Sequence, residues 1–377
     1  MVTIKDFMTV YESFVPKNLA IGKDPIGLHF GHPNQEITKM MTTLDVRPEV
    51  VQEAIENDVD FILAHHPPIF KPVARFDESD PQQKMYAEII RHNIGVYASH
   101  TNLDVVEGGM NDWLAQALKL KNIRQLSSTT QTPYFKLTVF VPLDGISAVL
   151  SAAHEAGAGQ VDDDYEDVSY AVKGKGRFTP IGEANPTIGN IGDKEVVEEE
   201  RIEMLVKEAD ISQVIQAIKE AHPYEVPVYD IYKLEYAGDQ QGIGRVGELE
   251  NDMPLKEFID YVSKTFDVSG LRYVQPISEE DVRVKTVAIC GGDGGSFYKD
   301  VLKAKADVYI TGDVYYHTAH DMQAAGLTVI DPGHHIEAIC IPMLANLVND
   351  WKKEHNWNIK VIESRTKTEP FQFYKSN

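Results

Sequence analysis

Cysteine is nearly absent, with two residues, Cys290 and Cys340, in a chain of 377. Both sit in apolar stretches, which leaves no disulfide framework and no closed thiolate zinc site. No uninterrupted apolar run approaches the ~18 residues needed to span a bilayer. The N-terminal MVTIKDFMTVYESF is amphipathic at helical spacing and lacks the basic start and apolar centre of an export signal. These absences predict a cytoplasmic protein with no membrane partner. Basic charge is scarce as well: 36 Lys and Arg stand against 58 Asp and Glu, a net charge of −22, with no clustered basic run. A protein that grips nucleic-acid backbone needs a basic face to displace counterions, so nucleic acid is disfavoured as a partner. A phosphorylated substrate would need local help from metal ions or helix N-termini. No Gly-x-Ser-x-Gly elbow stands at a strand–helix junction, which argues against a serine hydrolase. CGGDGGS, between a strand and a helix, lacks the Lys-Ser/Thr of a P-loop and the spacing of a dinucleotide fingerprint, and reads as a close-packed turn.

What is present is a folded chain, 43% hydrophobic, with a regular rhythm. Ile37–Asp45 reads as a strand, followed by the helix-like VRPEVVQEAIEND and the strand DFILAHH. Next come a helix (QQKMYAEIIRHN), a strand (GVYASH) and a helix (MNDWLAQAL). The rhythm returns late in KTVAIC, SFYKDVLKAKA, DVYIT, a helix from Tyr315, LTVID and a long helix after His334. Such alternation predicts βαβ units and a largely parallel sheet flanked by helices. Between the halves, YFKLTVFVP, ISAVLSAAHEAG, DVSYAVKG, IEMLVKEAD, SQVIQAIKEAH and VPVYDIYKL give a β-α-β-β-α-β order, the ferredoxin-like signature. Thr179–Glu200 reads as an exposed loop of this insert. The expected architecture is therefore α/β: a discontinuous main domain, 1–127 and 240–377, interrupted by an α+β insert over 128–239.

The chemistry shows in where histidines fall. His65 and His66 end the strand FILA, His100 ends GVYAS, His334 and His335 follow TVID, and His317 opens a helix just after VYITGD. In open α/β sheets ligands bind beyond the carboxyl ends of the strands, so four strands deliver imidazoles to the one edge where a site is expected. Carboxylates accompany them. Asp104 lies four residues beyond His100, and Glu337 lies three beyond His334, on the same face if a helix begins there. Adjacent residues in extended chain point apart, so His65 and His66 would serve different ions, with a carboxylate bridging. Imidazole and carboxylate suit Zn, Mn and Fe. His100 could orient Asp104, or share proton transfer with His317.

AHHPPIF, SHTNLD, TGDVYYHTAHD and DPGHHIEA, in this order, together with GIGRVGEL, resemble the NIF-three-like family, also called the GTP cyclohydrolase I type 2 family. The resemblance implies two divalent metal ions per chain, zinc first, with manganese or iron as alternatives. His65 and His66 would each bind one ion, Asp104 one, His334 the other, with Glu337 between them. Many members space the last pair one residue wider, which leaves His335 as the alternative to His334. AHPYEVPVYD makes the insert similar to the CutA/PII-like fold of longer bacterial members. The family also implies a homohexamer of two trimers. The function expected first is metal-dependent hydrolysis at a nucleotide ring carbon or a phosphoester, with a nucleotide or phosphorylated small molecule as ligand. The alternative is a non-enzymatic metal- or metabolite-sensing regulator or scaffold that uses the insert.

Overall fold

The computed structural model describes residues 1–162, 164–277 and 282–374. The chain divides into two compact units, Met1–Thr130 with Gln241–Asn377, and Gln131–Gln240. Two long strands, Lys121–Pro142 and Tyr229–Pro254, carry the chain out of the first unit and back.

In the first unit a five-stranded sheet has the order Lys360–Glu363, Lys39–Thr43, Phe61–Ala64, Gly95–Ala98, Gly27–Phe30. The first four strands are parallel and the last is antiparallel. FILA and GVYA are buried at every residue, as expected of short parallel strands covered on both faces. On one face lie the helices Pro48–Glu56 and Pro81–Arg91, each with proline in its first turn, where the missing N–H costs nothing. Their Val50, Ala54, Met85 and Ile89 pack on Met41, Ile62 and Val96. On the other face Phe7 of the Ile4–Phe14 helix meets Phe61 and Tyr97 edge-on. Each of the larger side chains among these contributes roughly 1.5–3 kcal/mol by leaving water.

The second sheet of this unit runs Arg272–Val274, Thr328–Asp331, Val308–Ile310, Arg283–Ile289 and then the Tyr229–Pro254 strand. Its three central strands are parallel and the two outer pairings antiparallel, so both sheets are mixed. What positions the site is the alignment of strand ends. Thr43, Ala64 and Ala98 are paired in register, as are Ile289, Ile310 and Ile330. The chain therefore leaves each parallel set at one level.

The insert follows a β-α-β-β-α-β order, with helices Ile146–Glu155 and Ile211–Ala221. Val149, Ala153, Val214 and Ile218 pack on Leu137, Val139, Ile202 and Met204 of the sheet. Ser169–Phe178 pairs antiparallel with Glu195–Lys207 from Phe178↔Glu195 onward. The loop between them thus stops at 194, shorter than the Thr179–Glu200 expected, because the Val-rich EVVEEE stretch extends the strand backwards.

Among the described residues no helix is long and apolar enough to cross a membrane. Both cysteines are buried free thiols.

Candidate metal centre

Past the first parallel set, the residues beyond the strand ends are Asp45, His65–His66 and Ser99–His100. Past the second they are Gly291–Gly292, Gly312–Asp313 and His334. His334 opens a 3-10 helix, His334–Ile339, rather than the start of an α-helix; the α-helix Cys340–Glu354 follows it. In 3-10 geometry residues i and i+3 eclipse, and His334 Nε2 lies 3.1 Å from Glu337 Oε2. The same carboxylate oxygen is 3.1 Å from His66 Nε2 and 3.7 Å from His65 Nε2. His65 Nε2 is also 3.6 Å from Asp104 Oδ1. His65 and His66 do not point apart as alternation would require. The strand ends at Ala64 and the chain bends at both residues, so the rings lie 4.8 Å apart and approach one acid.

Each imidazole of the cluster is held at Nδ1 by an oxygen outside it. His65 Nδ1 lies 2.8 Å from the Ser99 carbonyl, His66 Nδ1 2.7 Å from Asp45, His100 Nδ1 2.9 Å from Asp24, and His334 Nδ1 2.7 Å from Asp313. A carbonyl or ionised carboxylate only accepts, so Nδ1 carries the hydrogen and Nε2 turns inward. This is the arrangement in which outer partners fix a metal-binding imidazole. The sequence offers His100 as a residue that could orient Asp104; the carboxylate its Nδ1 reaches is Asp24, which also accepts from the Thr101 hydroxyl and backbone N–H.

Electrostatics separate the groups. Burial pulls His65 down to about 3, which keeps it neutral. Its bare Nε2 then faces Asp104 Oδ1, and among the described residues both atoms are buried without a hydrogen-bond partner. Two lone pairs facing each other cost roughly 1–3 kcal/mol each when unsatisfied, and burial together with the charge of Glu337 raises Asp104 well above the usual carboxylate range. Burial would also raise Glu337, but hydrogen bonds from His334 and His66 outweigh it and hold this acid well below its ordinary value. Burial would lower His66, yet its bonds to Asp45 and Glu337 prevail and hold it at about 10. The bond to Glu337 leads in pushing His334 up to about 9, against burial. The cluster thus gathers positive charge, as protons or as cations. Three sets of side chains bring ligand atoms within 4.8 Å of one another: His65, Asp104 and Glu337; His66, His334 and Glu337; His65, His66 and His100. The residues present fit a divalent metal.

His317 and His335 belong to none of these sets. His317 is exposed, against Tyr315 and Tyr316, and His335 lines a cavity of about 420 Å³ that borders the cluster, together with Asp45, Arg47, His66, His334 and Phe371. CGGDGGS is a close approach. A Cβ at Gly291 would lie 2.7 Å from Glu337 Oε1, and Gly292, at φ +58°, would bring one within 3.4 Å of His334 Nε2. The residues that sequence reasoning missed are the outer partners Asp24, Asp45, Ser99 and Asp313. Asp45 and Asp313 stand just past strand ends, at the edge that exposed the histidines; Asp24 follows no strand and carries no such signal.

The family profile described as Duf34/NIF3 (NGG1p interacting factor 3) matches residues 2–370. A Bacillus subtilis protein named GTP cyclohydrolase 1 type 2 homolog is 40% identical over 369 residues, covering 98% of each chain. The crystal structure of a Bacillus cereus protein related to NIF3 matches with a TM-score of 0.84 at 36% identity, over 99% of each chain. A Staphylococcus aureus structure matches with a TM-score of 0.84 at 31% identity, again over 99% of each. With sequence and fold both matched along its length, this protein belongs to the Duf34/NIF3 family.

Proposed function

We propose that the cluster holds two divalent metal ions, zinc first and manganese or iron as alternatives, and that the protein is a metal-dependent hydrolase. The observation that carries the reading is the sharing of Glu337. It belongs both to the set with His65 and Asp104 and to the set with His66 and His334, so one carboxylate would bridge two ions. A bound divalent ion supplies a Lewis acid and lowers the pKa of water to about 7. Around it the chain's own groups hold geometry. Asp45, Asp313 and the Ser99 carbonyl fix the imidazole tautomers, Gly291 and Gly292 admit Glu337 without a clash, and His100, whose Nδ1 is held by Asp24, is placed to accept a proton at Nε2. His317, the other candidate from the sequence, is exposed beside Tyr315 and Tyr316 and belongs to none of the ligand sets. The adjoining cavity admits a ligand beside His66 and His334. The relatives' name supports a nucleotide as the first substrate class, with ring-carbon hydrolysis ahead of phosphoester cleavage.

The insert is ferredoxin-like in this reading, supported by its element order and by the strand order Tyr229–Pro254, Lys121–Pro142, Glu195–Lys207, Ser169–Phe178. Membership of the family supports assembly of the chain with itself as a homohexamer of two trimers, in the cytoplasm. A second reading, a non-enzymatic regulator, is favoured by a cavity of about 590 Å³ inside the insert, lined by Phe140, Phe178, Glu199 and Tyr224. The two are separated by turnover of GTP, other nucleotides and generic phosphoesters with zinc-, manganese- and iron-loaded protein, with His65→Ala as blank. Metal-dependent turnover lost in the variant supports the hydrolase. Activity that survives both chelation and the substitution contradicts it, and saturable nucleotide binding without turnover supports the regulator.

A further inference from the structure

The chain after the Lys360–Glu363 strand stays beside the Lys39–Thr43 strand with which that strand pairs. Ser364 N–H still donates to the Thr42 carbonyl at 2.9 Å. Glu53, on the Pro48–Glu56 helix, then fastens the segment. Its carboxylate accepts from the Ser364 hydroxyl at 2.7 Å, from the Arg365 and Thr366 backbone N–H groups, and from the Thr366 hydroxyl at 2.7 Å. Held at this point, the segment runs alongside Leu44 and Asp45, and the Thr368 hydroxyl donates to Asp45 Oδ2. The other oxygen of Asp45, Oδ1, accepts from His66 Nδ1 at 2.7 Å. One carboxylate thus joins a threonine 323 residues away in sequence to an imidazole of the cluster.

We propose that Thr368 is a positioning residue for the metal centre, acting through Asp45 to set the direction of His66. The proposal rests on the metal-centre reading. A carboxylate free to rotate offers an imidazole two equivalent oxygens and several rotamers. With Oδ2 held by Thr368, Oδ1 alone remains for Nδ1–H, and Nε2 is aimed at Glu337. Outer partners of this kind change metal affinity by about 10- to 100-fold when removed, and a hydroxyl one step further out belongs at the low end of that range. The effect belongs to the ion at His66 and His334. His65, whose Nδ1 is held by the Ser99 carbonyl, has no link to this segment in its hydrogen bonding.

The test uses cobalt(II) as probe, titrated into the metal-free full chain and read by its visible absorption, with competition against a chromophoric chelator to give each affinity. The parent is expected to take up cobalt in two steps. Thr368→Val, which keeps the shape and removes the donor, weakens one step about tenfold and leaves the other in place. Thr368→Ser, which keeps the hydroxyl, restores the parent behaviour. Thr366→Val, which removes a hydroxyl from the Glu53 anchor in the same segment but none from Asp45, leaves both steps unchanged. Equal affinities in the parent and Thr368→Val overturn the proposal, as does a Thr366→Val variant as weak as Thr368→Val, since a loosened segment would then be the cause. No cobalt uptake by the parent overturns the metal-centre reading and this proposal together, whereas two-step uptake indifferent to Thr368 overturns this proposal alone.

Discussion

Two buried charge clusters lie in the main unit, and they resolve their charge in opposite ways. Arg245 and Asp112 form a closed pair. Nε and Nη2 reach the two carboxylate oxygens at 2.8 and 2.7 Å, and the remaining N–H groups reach the carbonyls of Gly242, Gly244 and Val106. All five donors are satisfied within the protein, as a structural ion pair needs if it is to offset its own desolvation. In the histidine cluster the atoms that face one another, His65 Nε2 and Asp104 Oδ1, are both acceptors and both unpartnered. Burial alone therefore does not mark a functional site. The mark is burial of like polarity around a gap, which a proton or a cation completes.

The largest expected effect is structural and falls on the closed pair. Asp112→Ala leaves a guanidinium buried without its counter-ion and should destabilise the chain by roughly 3–5 kcal/mol. Denaturant unfolding of metal-free and zinc-loaded protein should show the same loss in both. The open cluster should behave in the reverse way. His65→Ala relieves one of two opposed acceptors but strips the Ser99 carbonyl of its donor and empties buried volume, so gain and loss partly offset and the metal-free chain should lose only about 1–2 kcal/mol. What it should lose is the zinc-dependent gain, about 2.7 kcal/mol in the parent at a hundredfold excess over the dissociation constant. If His65→Ala instead unfolds the metal-free chain, the contrast between the two clusters collapses.

A smaller effect concerns pH. Without metal, His66 and His334 titrate above their ordinary value of 6.5, at about 10 and about 9. A raised value gives the metal-free chain stability that is complete below 6.5 and is lost as pH rises through about 9 and then about 10. Zinc displaces those protons, so its apparent affinity should climb with pH up to that range, with protons released into a weakly buffered solution on binding. An affinity flat between pH 6 and 8 would mean that those rings are not the ligands. The smallest effect should come from His335→Ala, which leaves the metal content where it was. A metal loss equal to that of His334→Ala would show that the neighbouring ring had been misplaced.

Much of the fold was legible because strand ends and helix starts are local. FILA, GVYA and TVID declare buried strands by composition, and the histidines that follow them land at one edge because parallel strands end together. The outer partners were not legible. Asp24 meets His100 across 76 residues and Thr368 meets Asp45 across 323, and no periodicity joins such positions. The spacing of His334 and Glu337 pointed to a shared face, and the 3-10 turn brings them closer than an α-helix would. In sequence His317 stood beside His100 as a candidate for proton transfer. Its helix, Tyr316–Ala324, begins just short of it and leaves it exposed beside two tyrosines. Only packing decides between them.

The sharing of Glu337 between two sets of ligands is tested most directly by zinc stoichiometry. The metal-free chain and Glu337→Ala are each dialysed against excess zinc, then against buffer, and analysed for metal and protein together. Two zinc ions per chain are expected in the parent, with both lost or weakened in the variant. A parent that saturates at one ion, or a Glu337→Ala variant that keeps two, would contradict the bridged centre.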